Sequence, residues 1–350
     1  MSWLVSLLVL SGLIFFHELG HFSAARFFGV YVEVFSIGFG KRLFTFHAFG
    51  TQWSISAIPL GGYVKMKGQD DADPTKKSYD ADSYNAKTPL QKIIILLAGP
   101  FANFLLAFLL YFTIALGNPQ VLSPVVGTVL KDSPAFVAGL ESNDTILSIN
   151  NQKVTSWKEM AELITSAKGA IALEVDRKGY LKLITLEPKL RDAKNMYGED
   201  VKRKMIGISA AGVMHEQKLD FIGKIKYATD QTVFASTLIF TGVKKLLFGE
   251  VPASEMGGVI SIVKLTSDAT AVGWMSVLFF AALISVNLGV LNLLPIPALD
   301  GGHIMFNLYE MIFRREASEQ VVINLTITGW VILFGLMGLG IYNDINRLIG

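Results

Sequence analysis

Four stretches of this chain are long and apolar enough to cross a bilayer, and nothing else in the sequence limits its fold as strongly. They are residues 3–25, about 91–116, 274–294 and about 321–342. Each reaches the ~20 residues that a ~30 Å hydrocarbon core requires. Inside lipid, every backbone N–H and C=O must be satisfied within the protein, so each run is predicted to be a helix. Composition agrees. Of 350 residues, 51% are hydrophobic and 17% charged, with mean hydropathy +0.46, against roughly 25% charged in soluble domains. A net charge of +2 offers no basic face for nucleic acid. The absence of cysteine excludes disulfides, thiolate zinc ligands and a cysteine nucleophile together. The opening "MSW" lacks a positive region and no small-residue cleavage site follows the apolar run. The first stretch is therefore expected to be a retained helix, not a signal peptide.

That first stretch reads "LVLSGLIFFHELGHFSAARFF" and holds His17, Glu18 and His21. Ionisable groups at membrane depth are costly, which makes them functional candidates. Positions i and i+4 share a helix face, so His17 and His21 can converge on one metal ion. Glu18 projects about 100° away, where a base can act on water at the metal. If the helix enters near Trp3, His17 lies roughly 21 Å deep, past the midplane. A catalytic zinc needs a third protein ligand and an open position. The best candidate is Asp300 in "NLLPIPALDGGH" (292–303), where Pro295 and Pro297 end the third run. Broken backbone at that depth is tolerated only where it is buried in protein or lines a cavity. His303 is expected to be a neighbour on the turn rather than a ligand.

Between the first two runs, residues 43–66 alternate Trp53, Ile55 and Ala57 against Ser54 and Ser56, with a Gly-containing turn near 49–52. This predicts a β-hairpin. Thr88–Pro89 supplies a cap and first-turn pair for the second run. Residues 118–190 are polar enough for an inserted domain, with a helix near 156–167. Residues 234–248 carry Lys244 and Lys245 and are expected to form an amphipathic helix on the membrane surface. Basic residues set orientation. Arg26, Lys41, Arg42, Lys65, Lys67, Lys76, Lys77, Lys87 and Lys92 cluster at 23–92, and Arg314 and Arg315 follow the third run. Placing both groups inside puts the 118–190 domain outside and the Asp300 end of the third run at the depth of the HExxH.

With "HELGH" (17–21), "GPFAN" (99–103), "SIGFG" (36–40) and "NLLPIPALDGGH" (292–303), the chain resembles the site-2 proteases. These are intramembrane zinc metalloproteases, and the resemblance is closest to the regulator of sigma-E protease branch. "SPAFVAGLESNDTILSINNQKV" (133–154) resembles a PDZ domain of the permuted bacterial type. Members of the branch often carry two such domains; here there is room for one. Asn143–Asp144 stands where Gly-Asp is usual, and "INN" (149–151) where "ING" is usual.

The resemblance implies a polytopic α-helical membrane protein of four transmembrane helices. It also implies a membrane-associated β-hairpin and one inserted extracytoplasmic PDZ domain of α+β type. The expected parts are residues 1–117, a PDZ domain at 118–192, a linker with amphipathic helices at 193–272, and a second transmembrane half at 273–350. The expected location is the bacterial inner membrane, multi-pass, with the zinc site toward the cytoplasm. One zinc ion (Zn2+) per chain would be held by His17, His21 and Asp300, with Glu18 as general base. The substrate would be a single-span membrane protein such as an anti-sigma factor, trimmed beforehand by another protease. Membrane lipid is the other expected partner. An exposed edge at 53–58, with Trp53 and Ile55, could capture unwound substrate as an added strand; a plain reentrant hairpin is the alternative. Asn103, Asn287 and Asn292 are amides in apolar helices that could bond between helices. By resemblance, Asn287 and Asn292 could instead hold substrate backbone. The PDZ domain could filter substrates by size or bind an exposed carboxyl terminus. The competing function is an inactive PDZ scaffold with a vestigial metal site, against which an intact Glu18 weighs.

Overall fold

The computed structural model describes residues 2–69, 78–195 and 199–349; Lys76 and Lys77, counted in the charge bias, lie outside them. The chain divides into two compact units. One combines Met1–Ala115 with Ile222–Gly350, and the other is Leu116–Phe221.

The first unit opens with α1 (Ser2–Phe27), followed by β1 (Val32–Ala48), β2 (Thr51–Met66) and α2 (Pro89–Leu116). Thr88 and Gln91 bond reciprocally at the start of α2. The Thr88 N–H donates to Gln91 Oε1 at 3.0 Å, and the Gln91 N–H donates to Thr88 Oγ1 at 3.4 Å, a capping box. Phe49 (φ 54°) and Gly50 (φ 75°) turn β1 into β2, a two-residue loop with positive φ at both positions.

The two long strands fold back on themselves. Residues 62–66 lie antiparallel to 32–37, and 51–56 lie antiparallel to 42–48. Between them, Val34, Phe35, Ser36 and Ile37 advance in step with Gln52, Trp53, Ser54 and Ile55. The spatial order is therefore 62–66, 32–37, 51–56, 42–48. Trp53 stacks on Phe35 (centroids 4.5 Å) and Phe46 (6.2 Å), its neighbours from either side. Strand 51–56 is thus interior. Within the expected free edge at 53–58, residues 53–55 are paired along both sides, and the strand on the other side of 32–37 is 62–66.

The second unit contains β3 (Gln120–Leu122), β4 (Val126–Val129), α3 (Pro134–Val137), β5 (Thr145–Ile149), β6 (Gln152–Lys153), α4 (Trp157–Ser166), β7 (Ile171–Arg177), β8 (Tyr180–Leu186), β9 (Lys189–Lys194), β10 (Asp200–Met205), β11 (Ile208–Ala210) and β12 (Met214–Glu216). A sheet of order β6-β5-β7-β8 packs over a core that includes Ile146, Met160, Leu173 and Ile184. Asn143 has φ 67°, and Asn150 and Asn151 have φ 49° and 64°. Asparagine tolerates the left-handed region, which accounts for its standing where glycine is usual. The unit does not stop at 192. β11 pairs with β4 and β12 with β3, so residues up to Phe221 close the same body, and part of the expected linker is domain.

Back in the first unit, α5 (Phe221–Leu247) is followed by α6 (Val259–Val272), α7 (Trp274–Asn292), α8 (Asp300–Phe313) and α9 (Glu319–Ile349). The expected surface helix at 234–248 is the end of α5, a 27-residue helix. Ala228 and Ala235, two turns apart, are buried in a cluster with Ala107 and Tyr111 of α2 and Ala282 and Val286 of α7. Small side chains let α5 sit close against both helices, which charge and hydropathy alone did not reveal. Among the described residues, four helices are long and apolar enough to cross a membrane: Leu4–Phe27, Pro89–Leu116, Trp274–Asn292 and Glu319–Ile349.

Candidate metal centre and active site

The site is built where α1, α2 and α8 meet. On α1, His17 and His21 are 9% and 6% exposed, and their Nε2 atoms stand 3.2 Å apart. Asp300, the first residue of α8, places Oδ2 at 3.3 Å from His17 Nε2 and 3.4 Å from His21 Nε2. That oxygen is buried and makes no hydrogen bond.

Close backbone approach makes this convergence possible. A Cβ on Gly99 of α2 would lie 2.2 Å from His21 Nε2, so only glycine leaves the imidazole its place. The turn between α7 and α8, with Pro295 and Pro297, is equally tight. A Cβ on Gly301 would meet the Leu294 carbonyl oxygen at 2.2 Å, and one on Gly302 would meet Pro297 Cα at 2.3 Å. The "DGG" tripeptide thus carries Asp300 back against α1. Lys92 of α2 adds a partly buried ion pair to Glu310 of α8 at 3.0 Å, which fixes α8 beside α2.

The donor set fits a metal. A tetrahedral zinc with nitrogen and oxygen ligands ~2.0–2.2 Å away separates neighbouring donors by roughly 3.3–3.5 Å. The three observed separations of 3.2, 3.3 and 3.4 Å match one face of such a tetrahedron. The Ile95 carbonyl oxygen lies 2.9 Å from His21 Nδ1. A carbonyl only accepts, so Nδ1 carries the proton and Nε2 keeps its lone pair.

The remaining side opens on a cavity of about 920 Å3. Glu18, half-buried, lines it beside the three donors. One wall is the edge strand, Gly62 to Met66; another is α9, with Ile323, Thr326, Ile327, Trp330 and Phe334. Thr326 Oγ1 is buried there without a hydrogen-bond partner. Asn292 and His303 also line the cavity. His303 stands outside the group of donors that converge. Asn287 is half-buried on α7 and does not border the cavity. Trp53 and Ile55 do not border it either. The edge strand and the α9 wall are the parts that the sequence reading missed. "GGYVKM" (61–66) held the only local sign, a glycine pair before a short alternation.

A membrane-embedded helical bundle with a His-Glu-His-Asp cluster beside a cavity defines a class, the intramembrane metalloproteases. The profile of peptidase family M50 matches residues 5–336, and the chain belongs to that family, the site-2 proteases. It is accordingly a hydrolase and a multi-pass membrane protein. It is 46% identical to a "Putative zinc metalloprotease" of Campylobacter jejuni, over 100% of this chain and 94% of the relative. A Helicobacter pylori protein of the same description is 41% identical over 99% of this chain and its own full length. One from Clostridium acetobutylicum is 35% identical, over 95% and 94%.

Proposed function

We propose that the chain is an intramembrane zinc endopeptidase that cuts transmembrane helices of single-span proteins. The proposed substrate class is an anti-sigma-factor-like protein already trimmed by another protease. One observation carries this reading: three metal-competent donors converge beside Glu18, in a cavity walled on one side by strand 62–66. His17, His21 and Asp300 would hold one zinc. When bound, the ion supplies a Lewis acid that polarises a carbonyl and acidifies water.

The protein's own residues do the rest. Glu18 takes the proton of the attacking water and returns it to the leaving amine. A helical peptide bond is hydrogen-bonded and screened, so the substrate must unwind before cleavage. Among the described residues strand 62–66 is the outer strand of this sheet and lines the cavity, and it can take the unwound segment beside it as an added strand. Asn292, which also lines the cavity, can bond to substrate backbone. The Leu116–Phe221 unit is read as a single PDZ domain on the extracytoplasmic side of a bacterial inner membrane. The zinc site then lies toward the cytoplasm; the positive-inside bias supports this orientation.

The test is cleavage of a reconstituted single-span substrate. Wild type is expected to yield product, and Glu18→Gln to yield none while retaining its zinc. Equal product from both would overturn the protease reading and favour a scaffold. Asp300→Ala is expected to lose zinc, and undiminished metal in that variant would remove Asp300 from the ligand set.

A further inference from the structure

His17 and His21 are held differently on their far sides. The Ile95 carbonyl fixes the tautomer of His21, as described above. His17 Nδ1 instead faces the side-chain amide of Asn103, with Nδ2 at 3.1 Å. Asn103 is 0% exposed, and its Oδ1 is buried without a hydrogen-bond partner. Its backbone carbonyl accepts from Ser285 Oγ at 2.8 Å, which ties α2 to α7 and fixes the residue's position.

An amide nitrogen donates, so in this orientation Nδ1 of His17 accepts and Nε2 carries the proton. A proton on Nε2 occupies the lone pair that a metal needs. A half-turn about the Cβ–Cγ bond exchanges the two ends of the amide. Oδ1 then faces the ring, accepts from Nδ1–H, and leaves Nε2 with its lone pair toward Asp300 and His21. The half-turn breaks no bond made by Oδ1, because it makes none.

We infer that Asn103 is the positioning residue for His17, its Oδ1 holding the imidazole in the tautomer that can ligate metal. Both acceptors behind the histidine pair then come from α2: Ile95 behind His21, and Asn103 behind His17. This rests on the zinc reading above. It assigns Asn103 a task beyond bonding between helices, because a purely structural amide would not alter metal affinity through hydrogen-bond chemistry.

The experiment measures zinc affinity by chelator competition on the full chain in detergent, with thermal unfolding of the metal-free protein followed alongside. Asn103→Leu removes the acceptor at similar size, and Asn103→Asp keeps an acceptor that can take only the metal-competent tautomer. Asn103→Leu is expected to bind zinc about 10–100-fold more weakly, the usual loss for an outer-shell partner. Asn103→Asp is expected to bind at least as tightly as wild type. If Asn103→Leu does not accumulate, Asn103→Ala carries the same expectation. Equal affinity in wild type and Asn103→Leu, or equally weak binding in the Leu and Asp variants, would overturn the inference alone. Wild type that binds no zinc would overturn the metal reading, and this inference with it.

Discussion

Individual side chains show how much chemistry a short motif fixes. His17, Glu18 and His21 were readable at once, because i and i+4 share a helix face whatever surrounds the helix. Asp300 was reachable through the two prolines and the glycine pair beside it. Asn103 was visible only as an amide in an apolar run; its facing His17 across 86 positions is not a local property. Asp144 shows the same limit in the second unit. Burial pushes its carboxyl up, but hydrogen bonds from Arg177 and the Glu141 N–H outweigh burial and hold it below the ordinary carboxylate value. Arg177 donates from Nε and Nη2 at 2.7 and 2.6 Å. A depressed folded-state value means the pair stabilises at neutral pH, and the contribution is lost as pH falls below about 4 and through the folded value. Protection factors of the 116–221 unit, measured against the intrinsic exchange rate at each pH, are expected to fall in that acid range. Asp144→Asn should flatten the dependence, and an unchanged profile in Asp144→Asn would contradict the assignment.

At the level of elements, helices were far more legible than strand order. The four apolar runs appear as α1, α2, α7 and α9 with ends shifted by a few residues, since length and hydropathy are local sums. The alternation of Trp53 and Ile55 correctly marked a strand but said nothing of its neighbours. Residues 51–56 are flanked by 34–37 and 42–48, and among the described residues the outer strand is 62–66. Proline in that edge tests the capture role. Successive N–H groups alternate in direction, so of Tyr63 and Val64 one presents its N–H away from 32–37. Tyr63→Pro or Val64→Pro, whichever removes that donor, is expected to lower cleavage at least tenfold, with zinc content unchanged. Full activity in both variants would exclude strand addition at this edge. α5 makes the same point for helices: its alanines at 228 and 235 declare a packed face only once α2 and α7 lie beside it.

For the whole molecule, orientation is the most direct prediction. The chain has no cysteine, so single thiols at Lys178→Cys and Arg315→Cys, both exposed positions, report sidedness cleanly. On intact spheroplasts a membrane-impermeant maleimide is expected to label the first and not the second; the reverse pattern would invert the proposed topology. Hydropathy and spacing determine which segments are long and apolar enough to cross a membrane and that a metal-binding motif lies within one of them, because each is a sum or a period along the chain; charge bias supplies only the proposed orientation. The folded chain alone decides three further things. It brings His17, His21 and Asp300 within 3.4 Å, sets Asn103 behind His17, and turns 62–66 toward the cavity. These depend on which backbones can approach one another at Gly99, Gly301 and Gly302, and on pairings between residues distant in sequence. Neither is carried by any local pattern of side chains.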